Sequence, residues 1–339
     1  MHIGLEKTAT TSIQQFLYAN EEQLLKENYK ITKSLGKINN IGLTRILNKE
    51  KFLQAFMSFH GMEKKEDAIK ALDKMEEEFR HEIKNAKWSK EKKDKTFIIS
   101  SEHLQSRLDK NDIRNLKKLL INFGFTDFEI ILVLRPQNEI LLSRYSSGVK
   151  SGKNYEFLND SNLFTIYSKN NKSAFVNFKK RKLLNYKESI ANWCEIFGEK
   201  SLKVYDFKKL CIGSLEKNFL NIVDSNLDFS LFNEVKQYNQ SLSIEMILAL
   251  NKFNQKYKIA RTKRKAFLDE IKKIKLPKKD YYFDNESINY LNHVFGDQNA
   301  EVEEKYDIDL KINQKSLKKE YFDTSYIMPK ILKIYEIFK

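Results

Sequence analysis

Lys7 stands in the run Gly4-Leu5-Glu6-Lys7-Thr8-Ala9-Thr10-Thr11-Ser12, which leads directly into the apolar residues Ile13, Phe16 and Leu17. A glycine turn opening straight onto a helix presents backbone N–H groups to an anion, and the helix dipole and a neighbouring ammonium add attraction. Thr10, Thr11 and Ser12 bring hydroxyl donors to the same place. That is phosphate-binding chemistry. The ATP-type loop G-x-x-x-x-G-K-[ST] needs its lysine immediately after a second glycine, whereas Lys7 precedes the small residue Ala9. The loop is a different variant.

Two further segments carry groups of the right kind. Glu129-Ile-Ile-Leu-Val-Leu-Arg135-Pro136 reads as a buried strand ending in an arginine, and Ser143 follows eight residues later, two helical turns on. An arginine at the carboxyl edge of a strand and a serine on the next helix can converge on one phosphate, the arginine through charge-assisted forked bonds. Phe97-Ile98-Ile99-Ser100-Ser101-Glu102-His103 sets a carboxylate just past a second strand, on the same edge. Glu102 there can take a proton from an alcohol. His103 has the same capacity, but along a strand it should point to the opposite side from Glu102.

The string HIGLEKTATTSIQ resembles the 5′-phosphosulfate loop of sulfotransferases that use 3′-phosphoadenosine 5′-phosphosulfate (PAPS), and it is most similar to their bacterial glycan-type branch. The resemblance implies that Lys7, Thr8, Ala9, Thr10, Thr11 and Ser12 hold the 5′ end of the cofactor, with Arg135 and Ser143 at its 3′-phosphate. It also implies a catalytic role for Lys7 and for Glu102 as the base, and it carries the adenine contact onto Tyr205 within Leu202-Lys-Val-Tyr205-Asp206-Phe207. Two features depart from the family pattern: Ala9 replaces the usual glycine, and only Met1 to Ile3 precede the loop as a strand. Tyr238 to Ser243, Asp297-Gln298-Asn299 and Tyr306 resemble C-terminal family elements. The late basic clamp of some members has no clear counterpart, the nearest substitute being Lys263-Arg264-Lys265. The implied reaction moves a sulfuryl group from PAPS, without a metal, to a hydroxyl or amine of an acceptor, such as a surface polysaccharide or lipopolysaccharide precursor.

Positioning such groups requires a parallel sheet with crossover helices. Thr96 to Ser100, Glu129 to Leu134 and Leu202 to Tyr205 are short β-rich runs, each followed by a helical pattern. The expected fold is α/β, a P-loop-like three-layer arrangement around a central parallel sheet with helical additions in the C-terminal third. Ile69, Leu72, Met75, Phe79, Ile83 and Ala86 recur at helical spacing, which predicts an amphipathic helix from Met62 to Trp88 packed on the sheet. Ser243 to Tyr257 predicts another helix, and the Lys-rich stretch from Arg261 to Lys279 reads as a basic loop. With 3 Pro and 10 Gly there is no linker composition. A single domain over 1–339 is expected, with its core in 1–210 and a mainly helical part in 211–339.

Sixty-one Lys and Arg against 46 Asp and Glu give a net charge of +15, which suits an anionic ligand, a nucleic acid or an acidic membrane surface. No nucleic-acid recognition motif or basic-aromatic stripe accompanies that charge, so a nucleic-acid partner is not expected. A nucleotide-dependent kinase is the alternative enzyme, disfavoured by the displaced lysine. Cys194 and Cys211 form no framework and read as reduced thiols. His2, His60, His81, His103 and His293 show no metal-ligand spacing. The start lacks a basic segment followed by an apolar run, and Ile130 to Leu134, the most apolar stretch, is too short for a bilayer. Cytoplasm is the expected location, with at most peripheral membrane contact.

Overall fold

A computed structural model describes residues 1–86, 95–155, 163–164, 182–235, 242–276, 282–283, 285–312 and 324–339. Composition marks no boundary, yet the chain divides into two compact units. One is Met1–Arg135, Asn185–Tyr238 and Glu301–Asp309, and the other is Pro136–Leu184, Asn239–Ala300 and Leu310–Lys339.

The first unit begins with α1 (Thr10–Ala19), α2 (Glu21–Lys26), β1 (Tyr29–Ile31), α3 (Gly42–Leu47), α4 (Lys49–His60) and α5 (Lys65–Lys84). It continues through β2 (Thr96–Ile98), α6 (His103–Arg107), α7 (Lys110–Asn122) and β3 (Ile130–Leu134). The second unit interrupts with α8 (Gln137–Lys150) and β4 (Leu163–Phe164), after which the first resumes in α9 (Tyr186–Phe197), β5 (Leu202–Asp206), α10 (Phe207–Leu210) and α11 (Leu215–Val223). The remainder is α12 (Ile244–Lys256), α13 (Arg261–Lys272), β6 (Tyr282–Phe283), α14 (Asn285–Tyr306) and α15 (Met328–Phe338).

In the first unit β1 pairs with β2 and β3 with β5, both parallel. The first residues of the chain join the two pairs. His2 bridges in parallel to Ser100 on one side and to Ile131 on the other. The His2 N–H donates to the Ile99 carbonyl at 2.8 Å, and the Ile3 N–H to the Ile131 carbonyl at 3.0 Å. The lateral order is β1, β2, Met1–Ile3, β3, β5.

Side chains alternate across a strand, and here both faces are covered. Ile131 and Val133 share a core with Ile13, Phe16 and Leu17 of α1 and with Phe219 and Leu220 of α11. Ile130, Leu132 and Leu134 point the other way and are equally buried. Phe16 is fully buried, stacked 6.0 Å from Phe229. Burial of a side chain of this size stabilises by about 1.5–3 kcal/mol, and it holds α1 against the sheet directly behind the Lys7 loop.

Several sequence-based expectations are corrected in detail. The amphipathic helix is Lys65–Lys84 and packs on α3 and α4; Trp88, its expected end, lies outside the described residues. Arg261–Lys272 is a helix, not a basic loop, because Arg264, Phe267 and Ile271 recur at helical spacing and are buried. Ser243 starts α12 as expected, its side chain accepting from the Met246 N–H. Among the described residues no helix is long and apolar enough to cross a membrane.

Candidate functional site

The Lys7 loop leaves the middle of the sheet at Ile3 and turns at once into α1. Three left-handed residues shape it: Gly4 at φ 35°, Lys7 at φ 76° and Ala9 at φ 54°. Gly4 has a second reason to be glycine, since a Cβ there would come within 2.6 Å of Thr10 Cγ2 and 3.1 Å of His2 Nε2. Ala9, where the resembled pattern has glycine, adopts a glycine-like conformation at the N-cap and leaves α1 without a side-chain cap. The N–H groups of Thr10 and Thr11, at the start of α1, are placed to donate to an anion, whereas that of Ser12 already donates to the Ala9 carbonyl at 2.9 Å.

The hydroxyl residues divide by direction. Thr8 is fully buried and donates its hydroxyl to the Leu5 carbonyl at 2.6 Å, so it braces the loop from inside. Thr10 is buried, Ser12 half-buried and Thr11 exposed.

Arg135 reaches this loop. Its Nη1 donates to the Lys7 carbonyl at 3.1 Å, its guanidinium lies 5.0 Å from the centre of the Phe207 ring, and its own carbonyl accepts from the Tyr186 hydroxyl at 2.6 Å. The end of β3 and the turn before α1 are thus tied together. Ser143 lies half-buried on α8, which belongs to the second unit.

Glu102 sits 14% exposed at the start of α6, and its side chain does not cap that helix. Two amides hold its Oε2 instead, Gln14 Nε2 at 3.0 Å and Asn39 Nδ2 at 2.9 Å. Gln14 comes from α1, the helix that the Lys7 loop opens, so carboxylate and loop are built on one element. Asn39 is itself oriented by the Ser101 hydroxyl, which donates to Asn39 Oδ1 at 2.9 Å.

His103 does not point away from Glu102. Its Nε2 lies 4.0 Å from Glu102 Oε1. The strand has ended at Ile98, and Glu102 has helical angles of φ −63° and ψ −16°, so successive side chains diverge by a helical step, not a strand alternation. Burial first, and then the charge of Arg107, holds the His103 imidazole below its ordinary pKa, so the ring is neutral at pH 7. Its Nδ1 is buried without a partner.

No protein-family model, curated protein or solved structure matches this chain. The candidate site rests on its own geometry.

The remaining positions singled out in the sequence lie elsewhere. Tyr205 packs against the core shared by β3 and α11, and burial raises its pKa. Arg264 spends its guanidinium on the carbonyls of Val149 and Lys150 and on Asn254 Oδ1, which makes it a brace of the second unit. Asn299 exchanges amide bonds with Gln137 at 2.8 and 2.9 Å, and Tyr306 lies 3.9 Å from Cys194 Sγ. Tyr238 lies outside the described residues. Gln14 and Asn39 were missed by sequence reasoning, since neither titrates. The one available signal was that Gln14 follows Thr10 by one helical turn and must share its inward face.

Proposed function

We propose that this chain is a PAPS-dependent sulfotransferase built on a P-loop-like three-layer fold, acting on a hydroxyl or amine of an acceptor, most simply a saccharide of a surface glycan. The observation that carries the reading is the bond from Arg135 to the Lys7 carbonyl, which gathers a cation from the end of β3 onto an anion-binding turn. The parallel order β1, β2, Met1–Ile3, β3, β5 supports it, because ligands of open α/β sheets bind beyond the carboxyl ends of the strands.

The residues suit an adenosine bisphosphate. Lys7, the loop amides and the hydroxyls of Thr10, Thr11 and Ser12 would hold the 5′ end, and Arg135 the 3′-phosphate. Thr8 contributes by fixing the loop through Leu5. PAPS supplies the sulfuryl group and becomes adenosine 3′,5′-bisphosphate. Lys7 neutralises charge on the oxygen that departs with the nucleotide. Glu102 takes the proton of the acceptor hydroxyl at Oε1, the oxygen not engaged by Gln14 and Asn39, while the acceptor oxygen forms its new bond to sulfur. His103 stands beside that oxygen as a neutral ring.

Incubation with PAPS and a mixed polysaccharide extract should release adenosine 3′,5′-bisphosphate, and Lys7→Ala should abolish the release. Consumption of ATP with PAPS left intact would replace this reading with a kinase.

A further inference from the structure

Two arginines stand next to Glu102 and His103. Arg45 on α3 is only 9% exposed, and its guanidinium lies 5.2 Å from the centre of the Phe56 ring and 5.1 Å from that of Phe59. Helix α3 packs on α6, which carries Arg107. The two arginines lie close enough that Arg107, after burial, depresses the pKa of Arg45. Both also act on His103, together with Glu102 and Glu6, and Arg45 acts on His60. Neither guanidinium has a hydrogen-bond or ion-pair partner among the described residues. A guanidinium without a protein partner presents its planar fork of N–H donors to an anion. A second cation beside the first adds repulsion.

The aromatic neighbours say what shape of anion the guanidinium groups could take. Phe56 is buried, but Phe59 is 63% exposed, so Arg45 leans on a flat apolar face open to solvent. Such a face accepts the C–H side of a sugar ring, while a guanidinium fork accepts an oxyanion carried by that ring.

We infer that Arg45 and Arg107, flanked by Phe59, form an anion-recognising acceptor site beside Glu102 and His103, selective for a saccharide that bears an oxyanion such as a carboxylate. The word acceptor rests on the sulfotransferase reading; the binding of an anionic sugar does not. The site prefers an acidic sugar because only that offers an oxyanion to the two guanidinium groups.

Saturation-transfer NMR on the intact protein, with glucuronate and galacturonate as probes and glucose and galactose as neutral controls, tests the site. The uronates should bind at least about tenfold more tightly than the neutral sugars, the size of one charge-assisted contact. Arg45→Gln should remove that preference. Arg107→Gln, at an exposed position where folding is not at stake, should weaken it as well. Saturating adenosine 3′,5′-bisphosphate and Lys7→Ala should leave uronate binding intact, which separates this site from the phosphate loop. Equal binding of neutral and acidic sugars, no uronate binding, survival of the preference in both arginine variants, or displacement by the bisphosphate would overturn the inference. Failure of the bisphosphate itself to bind would instead count against the cofactor reading.

Discussion

Arg135 Nη1 and the backbone carbonyl of Lys7 lie 3.1 Å apart, joining residues 128 positions distant in the chain. The bond makes the shape of the loop depend on a side chain that also supplies charge. Arg135→Ala should lower affinity for adenosine 3′,5′-bisphosphate about 10- to 100-fold, as expected for loss of a charge-assisted contact. Calorimetry reads the difference. An Arg135→Ala protein that binds as tightly as the parent contradicts the assignment.

Glu102 and its two amide donors make a kinetic prediction. Glu102→Gln should reduce kcat by about 10²- to 10⁴-fold, the range for loss of general-base catalysis. Gln14→Ala and Asn39→Ala should reduce kcat by less, with bisphosphate affinity and unfolding temperature preserved. If the Gln14 variant loses only stability, the residue holds α1 and not the carboxylate.

How far these residues were visible before folding depends on what each signal needs. The Lys7 loop, the Arg135 strand end and α12 are local patterns, carried by a glycine turn, a run of five apolar residues and a Ser243 cap, and they lie where the sequence placed them. The middle strand was not legible, because Met1–Ile3 is too short to show alternation, and its partners Ser100 and Ile131 lie some hundred residues away. His103 was set on the wrong side because the end of β2 carries no Gly or Pro to announce the change from strand to helix. The division into two units leaves no mark in composition either: the chain passes between them at Arg135–Pro136, Leu184–Asn185, Tyr238–Asn239, Ala300–Glu301 and Asp309–Leu310 with no linker composition.

Ala9 tests the backbone of the loop. A left-handed alanine carries about 1–2 kcal/mol that glycine does not, and glycine loses only about 0.4–1 kcal/mol through its freer unfolded state. Ala9→Gly should therefore be stabilising by up to about 1 kcal/mol. Ala191→Gly, on the exposed side of α9, should cost about 1 kcal/mol as an ordinary helix interior. Equal losses in urea unfolding would show that the left-handed N-cap is not populated in solution.

His2 links stability to pH. Burial first, with the neighbouring terminal amine second, holds its imidazole at about 3, below the ordinary 6.5. The folded state then binds fewer protons than the unfolded one, so stability is full above pH 6.5 and falls as pH drops towards 3. The buried Met1 amine, at about 6, contributes its own slope above pH 6, leaving pH 6 to 5 to the imidazoles. Over that interval His2 should account for roughly 1 kcal/mol, and His2→Asn should flatten the curve. His60 and His103, shifted in the same direction, keep a residual slope. An unchanged slope in the variant would refute the assignment.

The most direct measurement is calorimetric titration of the protein and its Lys7→Ala variant with adenosine 3′,5′-bisphosphate and, separately, with ATP and Mg²⁺. Lysine and alanine both carry a Cβ, so the substitution removes charge without easing the left-handed backbone at φ 76°. The account predicts tighter binding of the bisphosphate than of ATP, and a loss of at least about tenfold in the variant. Tighter binding of ATP, or a variant that binds the bisphosphate as well as the parent, would contradict it.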